Sequence, residues 1–132
     1  MDTELTYLAW TIVLGLVQVI ATAQFLTAAN GFAYGAGNRD TPPPRRMSIY
    51  GERLERATKN LLETFAFAAA AILIVHVTGR HNALTYWGAT FYFWARLAYV
   101  GIYVAGITYV RTMVFLVSVL GILLMLLGLH WG

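Results

Sequence analysis

Four apolar stretches alternate with polar breaks along the chain. The first, Leu5 to Ala29, carries no charge. The second begins near Glu52, crowds its charges into its first part and runs to Thr78. The third, Ala83 to Ala105, holds one charge, Arg96, and the fourth, Thr112 to Leu129, holds none. Each reaches or nearly reaches the about 20 residues that cross a hydrocarbon core. One long break, 30–51, contains Asn30-Gly31, Gly35, Gly37 and Thr41-Pro42-Pro43-Pro44-Arg45-Arg46, which continuous helix cannot cross. The other breaks are short, Gly79 to Asn82 and a few residues around Gly106, so neighbouring helices run antiparallel. The pattern predicts one all-α domain over 1–132, a four-helix bundle with helices at about 5–29, 52–78, 83–105 and 111–130.

Composition decides where such a bundle can live. The chain is 59% hydrophobic and 11% charged, with mean hydropathy +0.64 and no cysteine. A soluble domain carries about 25% charged residues. The shortfall excludes an ordinary soluble globule, a disordered chain and a disulfide scaffold, and the missing cysteines exclude a thiol nucleophile. An acidic leading flank, Asp2 and Glu4, and a long apolar run make a signal peptide a poor reading of the first stretch. This is a multi-pass integral membrane protein.

The basic residues orient it. Arg39, Arg45, Arg46, Arg53, Arg56 and Lys59 lie in or just after the long loop, Arg111 lies at the third connection, and Arg80 alone lies at the opposite face. The first and third connections are expected to be cytoplasmic and both termini non-cytoplasmic. Trp10, Trp87 and Trp131 fall near the non-cytoplasmic boundary on this topology, where indoles favour the interface. The net charge of +3 is small and localised, with no basic-aromatic groove, so nucleic acid is not a partner.

The polar residues inside the spans carry the functional signal, because charge near the bilayer centre costs about 2.5–3.5 kcal/mol per residue. At 100° per residue, Glu52, Arg56, Lys59 and Glu63 form one stripe of the second helix, with Asn60 and Arg53 on its shoulder. Glu52–Arg56 and Lys59–Glu63 are i,i+4 pairs. Glu63 lies about 22 Å before Thr78 and Arg96 about 20 Å after Ala83 at 1.5 Å per residue, so the two are expected at one depth. The next turns bring Asn60 and Arg56 alongside Tyr99 and Tyr103, with Arg111 starting the fourth helix on the same side. Arg56, Lys59 and Arg111 then leave surplus positive charge that calls for an anion. Headgroup phosphates are the simplest anions, and suffice for Arg45 and Arg46. Glu52, Glu55 and Arg53 read as a solvated helix start, and Tyr86, Phe91, Tyr92, Phe93 and Trp94 as packing residues. Gly121 and Gly128 read as close-packing positions. His76, His81 and His130 are isolated, with no metal-ligand spacing, so no metal site is expected.

At these residues the sequence resembles the MAPEG superfamily, the membrane-associated proteins in eicosanoid and glutathione metabolism. Glu52-Arg53-x-x-Arg56-Ala57-x-x-Asn60-x-x-Glu63 is similar to the family's second-helix signature. Phe93-Trp94-Ala95-Arg96-Leu97-Ala98-Tyr99-Val100-Gly101-Ile102-Tyr103 is similar to the third-helix pattern of its glutathione-using members. The resemblance implies a homotrimer of four-helix protomers, with glutathione as cosubstrate between subunits and open to the cytoplasmic side. It implies that Arg56, Asn60, Glu63, Tyr99 and Tyr103 line or support the glutathione site, and Lys59 is expected to bind glutathione with them. Arg111 resembles the family arginine that stabilises the glutathione thiolate, with Thr112 beside it where some members have serine. Arg96 matches an arginine read as mainly structural. Lys59 stands where the prostaglandin E synthase type has arginine, Ala66 replaces a frequent proline, and the first helix ends without the usual arginine.

The expected function is a glutathione-dependent membrane transferase or peroxidase acting on lipophilic electrophiles or hydroperoxides, with the hydrophobic substrate or lipid drawn from the bilayer. The alternative is a non-catalytic lipid-binding or scaffold protein of the same fold. A small multidrug-type transporter has similar length, but it needs a membrane-embedded acid in the first helix, and Leu5–Ala29 has none.

Overall fold

Uninterrupted runs of Ala, Leu, Val and Ile without proline propagate helix until a glycine or a capping residue ends them. The computed structural model describes residues 2–38 and 48–130. Their regular elements are all helical: α1 (Thr3–Asn30), α2 (Phe32–Ala36), α3 (Ile49–Thr78), α4 (Ala83–Ala105) and α5 (Thr108–His130). The readings that concern Arg39, Pro42, Pro43, Pro44, Arg45, Arg46 and Trp131 lie outside the described residues. The five-residue α2 sits in the stretch read as a loop, entered through Gly31 at φ +89°.

Local chemistry explains the boundaries. Ser48 Oγ accepts from the Gly51 amide at 3.2 Å, starting α3 three residues earlier than the charge pattern suggested. Gly79, in the left-handed region at φ +69°, ends it. Asn82 and Thr85 form a reciprocal capping box on α4, and the Asn82 side chain also donates to Gly128 O at 2.8 Å. Gly106, φ +85°, closes α4. Arg53 Nη1 donates to Val104 O at 3.1 Å. Arg53 is therefore not a solvated helix start. It spans from α3 to the carbonyl end of α4, where a cation meets the negative end of the helix dipole.

α3 and α4 form the middle of the molecule, with α1 and α5 each packed against both. Among the described residues α1 and α5 do not meet. The core joins Leu8 of α1, Leu61, Ala68 and Ile72 of α3, Ala89 and Tyr92 of α4, and Ile122 and Met125 of α5. At the α4–α5 crossing a Cβ on Gly88 would lie 2.5 Å from Gly121 O, and one on Gly121 2.5 Å from Gly88 O. The two backbones touch there, as the close-packing reading of Gly121 required. Gly128 likewise faces Thr85 and Asn82. Among the described residues three helices are long and apolar enough to cross a membrane: α1, α3 and α5 over Tyr109–His130. The sequence pattern suggested four. α4, at 23 residues, has the length, about 35 Å, but its polar and aromatic content, including Thr85, Tyr86, Trp87, Tyr92, Trp94 and Arg96, lowers its hydropathy.

Candidate functional site

Helical periodicity puts Arg56, Asn60 and Glu63 along one side of α3, and the tight α3–α4 connection turns Tyr99 and Tyr103 of α4 toward them. Tyr103 is the hub. Arg56 Nε donates to its hydroxyl at 3.1 Å, and the Arg111 guanidinium lies 4.5 Å from its ring centroid. The Tyr99 ring meets it edge-on at 5.5 Å. Two cations from different helices thus converge on one phenol, one through its hydroxyl and one through its π face.

Arg96 lies beneath this layer, 2% exposed. It stacks 4.3 Å from the Tyr99 ring centroid, and its Nη1 donates to Asn60 Oδ1 at 2.7 Å. Its Nε has no hydrogen-bond partner among the described residues. The depth argument placed Arg96 opposite Glu63; its observed acceptor is Asn60, three residues nearer the α3 start. Glu63 sits on the exposed side of α3, whereas Asn60 is half-buried against α4. A second pairing also differs. Lys59 reaches Glu55 at 3.6 Å rather than Glu63.

The eight expected site residues line two adjoining clefts. One, of about 250 Å³, is bounded by Asn60, Tyr99, Tyr103, Arg111, Thr112 and Phe115. The other, of about 240 Å³, is bounded by Arg56, Lys59, Asn60, Glu63, Tyr99 and Tyr103. Asn60, Tyr99 and Tyr103 form the shared wall. Guanidinium, phenol and amide donors at this density suit carboxylate and thiolate ligands. Phe115 was missed by the sequence reading; it packs 6.4 Å from Tyr99 and offers only an apolar side chain.

The opposite end holds a second polar cluster. His76 and His81 are not isolated. His76 Nδ1 lies 3.0 Å from Asp2 Oδ2, His81 Nε2 lies 3.3 Å from the same oxygen, and His81 Nδ1 lies 2.9 Å from Glu4 Oε2. The His76 hydrogen bond holds the Asp2 carboxyl below its ordinary range, against a smaller opposing effect of desolvation. Arg80 Nη1 donates to Leu129 O at 2.9 Å, capping α5. Sequence spacing missed the cluster because the acids precede the histidines by more than seventy residues. Between these ends Gln18 Nε2 donates to Thr58 Oγ1 at 3.2 Å, a buried polar contact within an uncharged span.

The fold and its polar layer define an integral membrane protein with cations and tyrosines gathered at one end of a helical core. The model of the MAPEG family matches residues 7–131, and the chain belongs to that family. No curated protein and no solved structure matches the chain.

Proposed function

We propose that this protein is a glutathione-dependent membrane transferase or peroxidase that acts on lipophilic electrophiles or hydroperoxides. The observation that carries this reading is the shared wall of Asn60, Tyr99 and Tyr103 between two clefts rimmed by Arg56, Lys59 and Arg111. Arg56, Lys59 and Asn60 bind the carboxylates and amides of glutathione, and Glu63 receives its ammonium group. Arg111 places positive charge beside the sulfur and so favours the thiolate over the thiol. Thr112 and Tyr103 donate hydrogen bonds to it. The thiolate then attacks the electrophilic carbon, a C–S bond forms, and the leaving group departs with its electron pair.

The site is completed in a homotrimer. Arg56 and Glu63 are exposed and the Lys59 side chain is 70% exposed in one chain. Charges at membrane depth avoid lipid, so this face suits a second copy with ligand between them. In this arrangement α4 is the fourth span, the clefts open to the cytoplasm and both termini lie on the other side.

The test uses pure protein in detergent micelles. Calorimetry should show glutathione binding, and ultraviolet difference spectra should show bound thiolate. Arg111→Ala should keep most of the binding and lose the thiolate signal. A folded preparation with neither heat nor thiolate overturns the reading. The largely apolar cleft between α1 and α3, about 240 Å³ and lined by Thr11, Ile12, Gly15, Leu16, Val19, Leu61, Leu62 and Phe65, favours a second reading as a non-catalytic lipid-binding protein. Such a protein would bind fatty acid without turning over any electrophile, with or without Arg111.

A further inference from the structure

The polar cluster at the far end has a chemistry of its own. Asp2 precedes α1, His76 lies in the last turn of α3 and His81 lies in the connection to α4. One ligand-type atom from each falls within 4.8 Å of the others. We propose that Asp2, His76 and His81 bind a divalent transition metal of the zinc class, with Glu4 as the positioning residue behind His81.

Two imidazoles and one carboxylate are the nitrogen and oxygen donors that such ions take, leaving a fourth position for water. Tetrahedral bonds of about 2.0–2.1 Å place ligand atoms about 3.3 Å apart. Asp2 Oδ2 lies 3.0 Å from His76 Nδ1 and 3.3 Å from His81 Nε2. Glu4, 4% exposed, faces His81 Nδ1 with both oxygens, at 2.9 and 3.3 Å. A buried carboxylate on the far nitrogen is the outer partner that metal-binding imidazoles commonly have, and it fixes the ring with Nε2 turned toward the Asp2 oxygen. His76 Nδ1 reaches the same oxygen from the other side, so three ligand-type atoms converge on one point. Asp2 and His76 keep 42% and 50% of their side-chain surface open, so an ion has a route in. His76 is thirteen residues beyond Glu63 on α3, about 20 Å. The site is therefore separate from the proposed glutathione site and stands or falls without it. A bound ion would pin the start of α1 to the α3–α4 connection.

The experiment uses the full chain, free of any affinity tag, in micelles after treatment with a chelator. Titration with Co²⁺ should give one ion per chain, with the intense visible bands of a four-coordinate site, and Zn²⁺ should bleach them. Zn²⁺ should also raise the thermal unfolding midpoint. Asp2→Ala and His76→Ala should each abolish both effects; their half-open positions let the metal-free variants fold, which circular dichroism checks. Glu4→Gln should keep the bands at about 10–100-fold weaker affinity. A wild-type chain with no stoichiometric Co²⁺ spectrum means the cluster holds only a proton, and overturns the proposal. So does a spectrum that survives in the His76→Ala, His81→Ala double variant.

Discussion

The two ends of this molecule use similar side chains to opposite effect. At the α3–α4 connection, Asp2 and Glu4 face His76 and His81, Arg80 caps α5, and Asn82 caps α4. Acids and bases there meet within one chain and tie helix ends together. At the other end the cations outnumber nearby acids. Arg56 and Arg111 rest on a tyrosine, Arg96 holds an amide with its Nε unpartnered, and Lys59 reaches Glu55 at the exposed surface. Charge closed on itself stabilises a fold. Charge held on neutral rings and amides keeps its capacity for an incoming anion.

That contrast can be broken by experiment. The largest effect is expected from Arg111→Ala, which should lower the conjugation rate about 10²–10³-fold in a glutathione assay while leaving the circular dichroism spectrum unchanged. Asn60→Ala removes the acceptor of a buried guanidinium and should cost about 2–3 kcal/mol in denaturant unfolding, with weakened glutathione binding. Asn82→Ala, at the closed end, should cost about 1–2 kcal/mol through the lost cap and leave glutathione affinity untouched. The smallest effect is expected from Tyr103→Phe. It frees Arg56 but keeps the ring under Arg111, so calorimetry should show affinity lower by about 0.5–1.5 kcal/mol with thiolate formation retained. Equal losses of binding from Asn82→Ala and Tyr103→Phe would erase the distinction between the ends.

The inner layer was legible in the sequence because its members are near in sequence or joined by a short hairpin. Arg56, Asn60 and Glu63 share a helical side, and the tight turn at Gly79 sets α4 in register with α3. Which partner Arg96 takes was not legible. Asn60 and Glu63 differ by less than one turn, and an arginine side chain reaches either; packing of Asn60 against α4 decides it. The capping role of Arg53 was hidden for a related reason, since it depends on where α4 ends in space. The Asp2–His76–His81 cluster left no local spacing, because Asp2 and Glu4 come from the start of α1, more than seventy residues before the histidines. Helix content followed directly from the apolar runs, whereas the caps at Ser48 and Asn82 emerged only from the structure. The weaker hydropathy of α4 followed from the same aromatic and polar residues that equip the site.

The contact of Gly88 with Gly121 has a mechanical consequence. α4 and α5 are joined covalently near Gly106 and pressed backbone to backbone at this crossing. Two members fixed at two points form a truss, and Arg111 sits on one strut about 15 Å from the crossing. A side chain forced between the glycines that tilted α5 by about 5° would carry Arg111 roughly 1.3 Å on that arm. Displacements of about 1 Å are enough to cost 10²-fold in rate when a reacting group must be positioned. Two residues with no side chain, about three helical turns from Arg111, thereby set the height of the guanidinium over Tyr103.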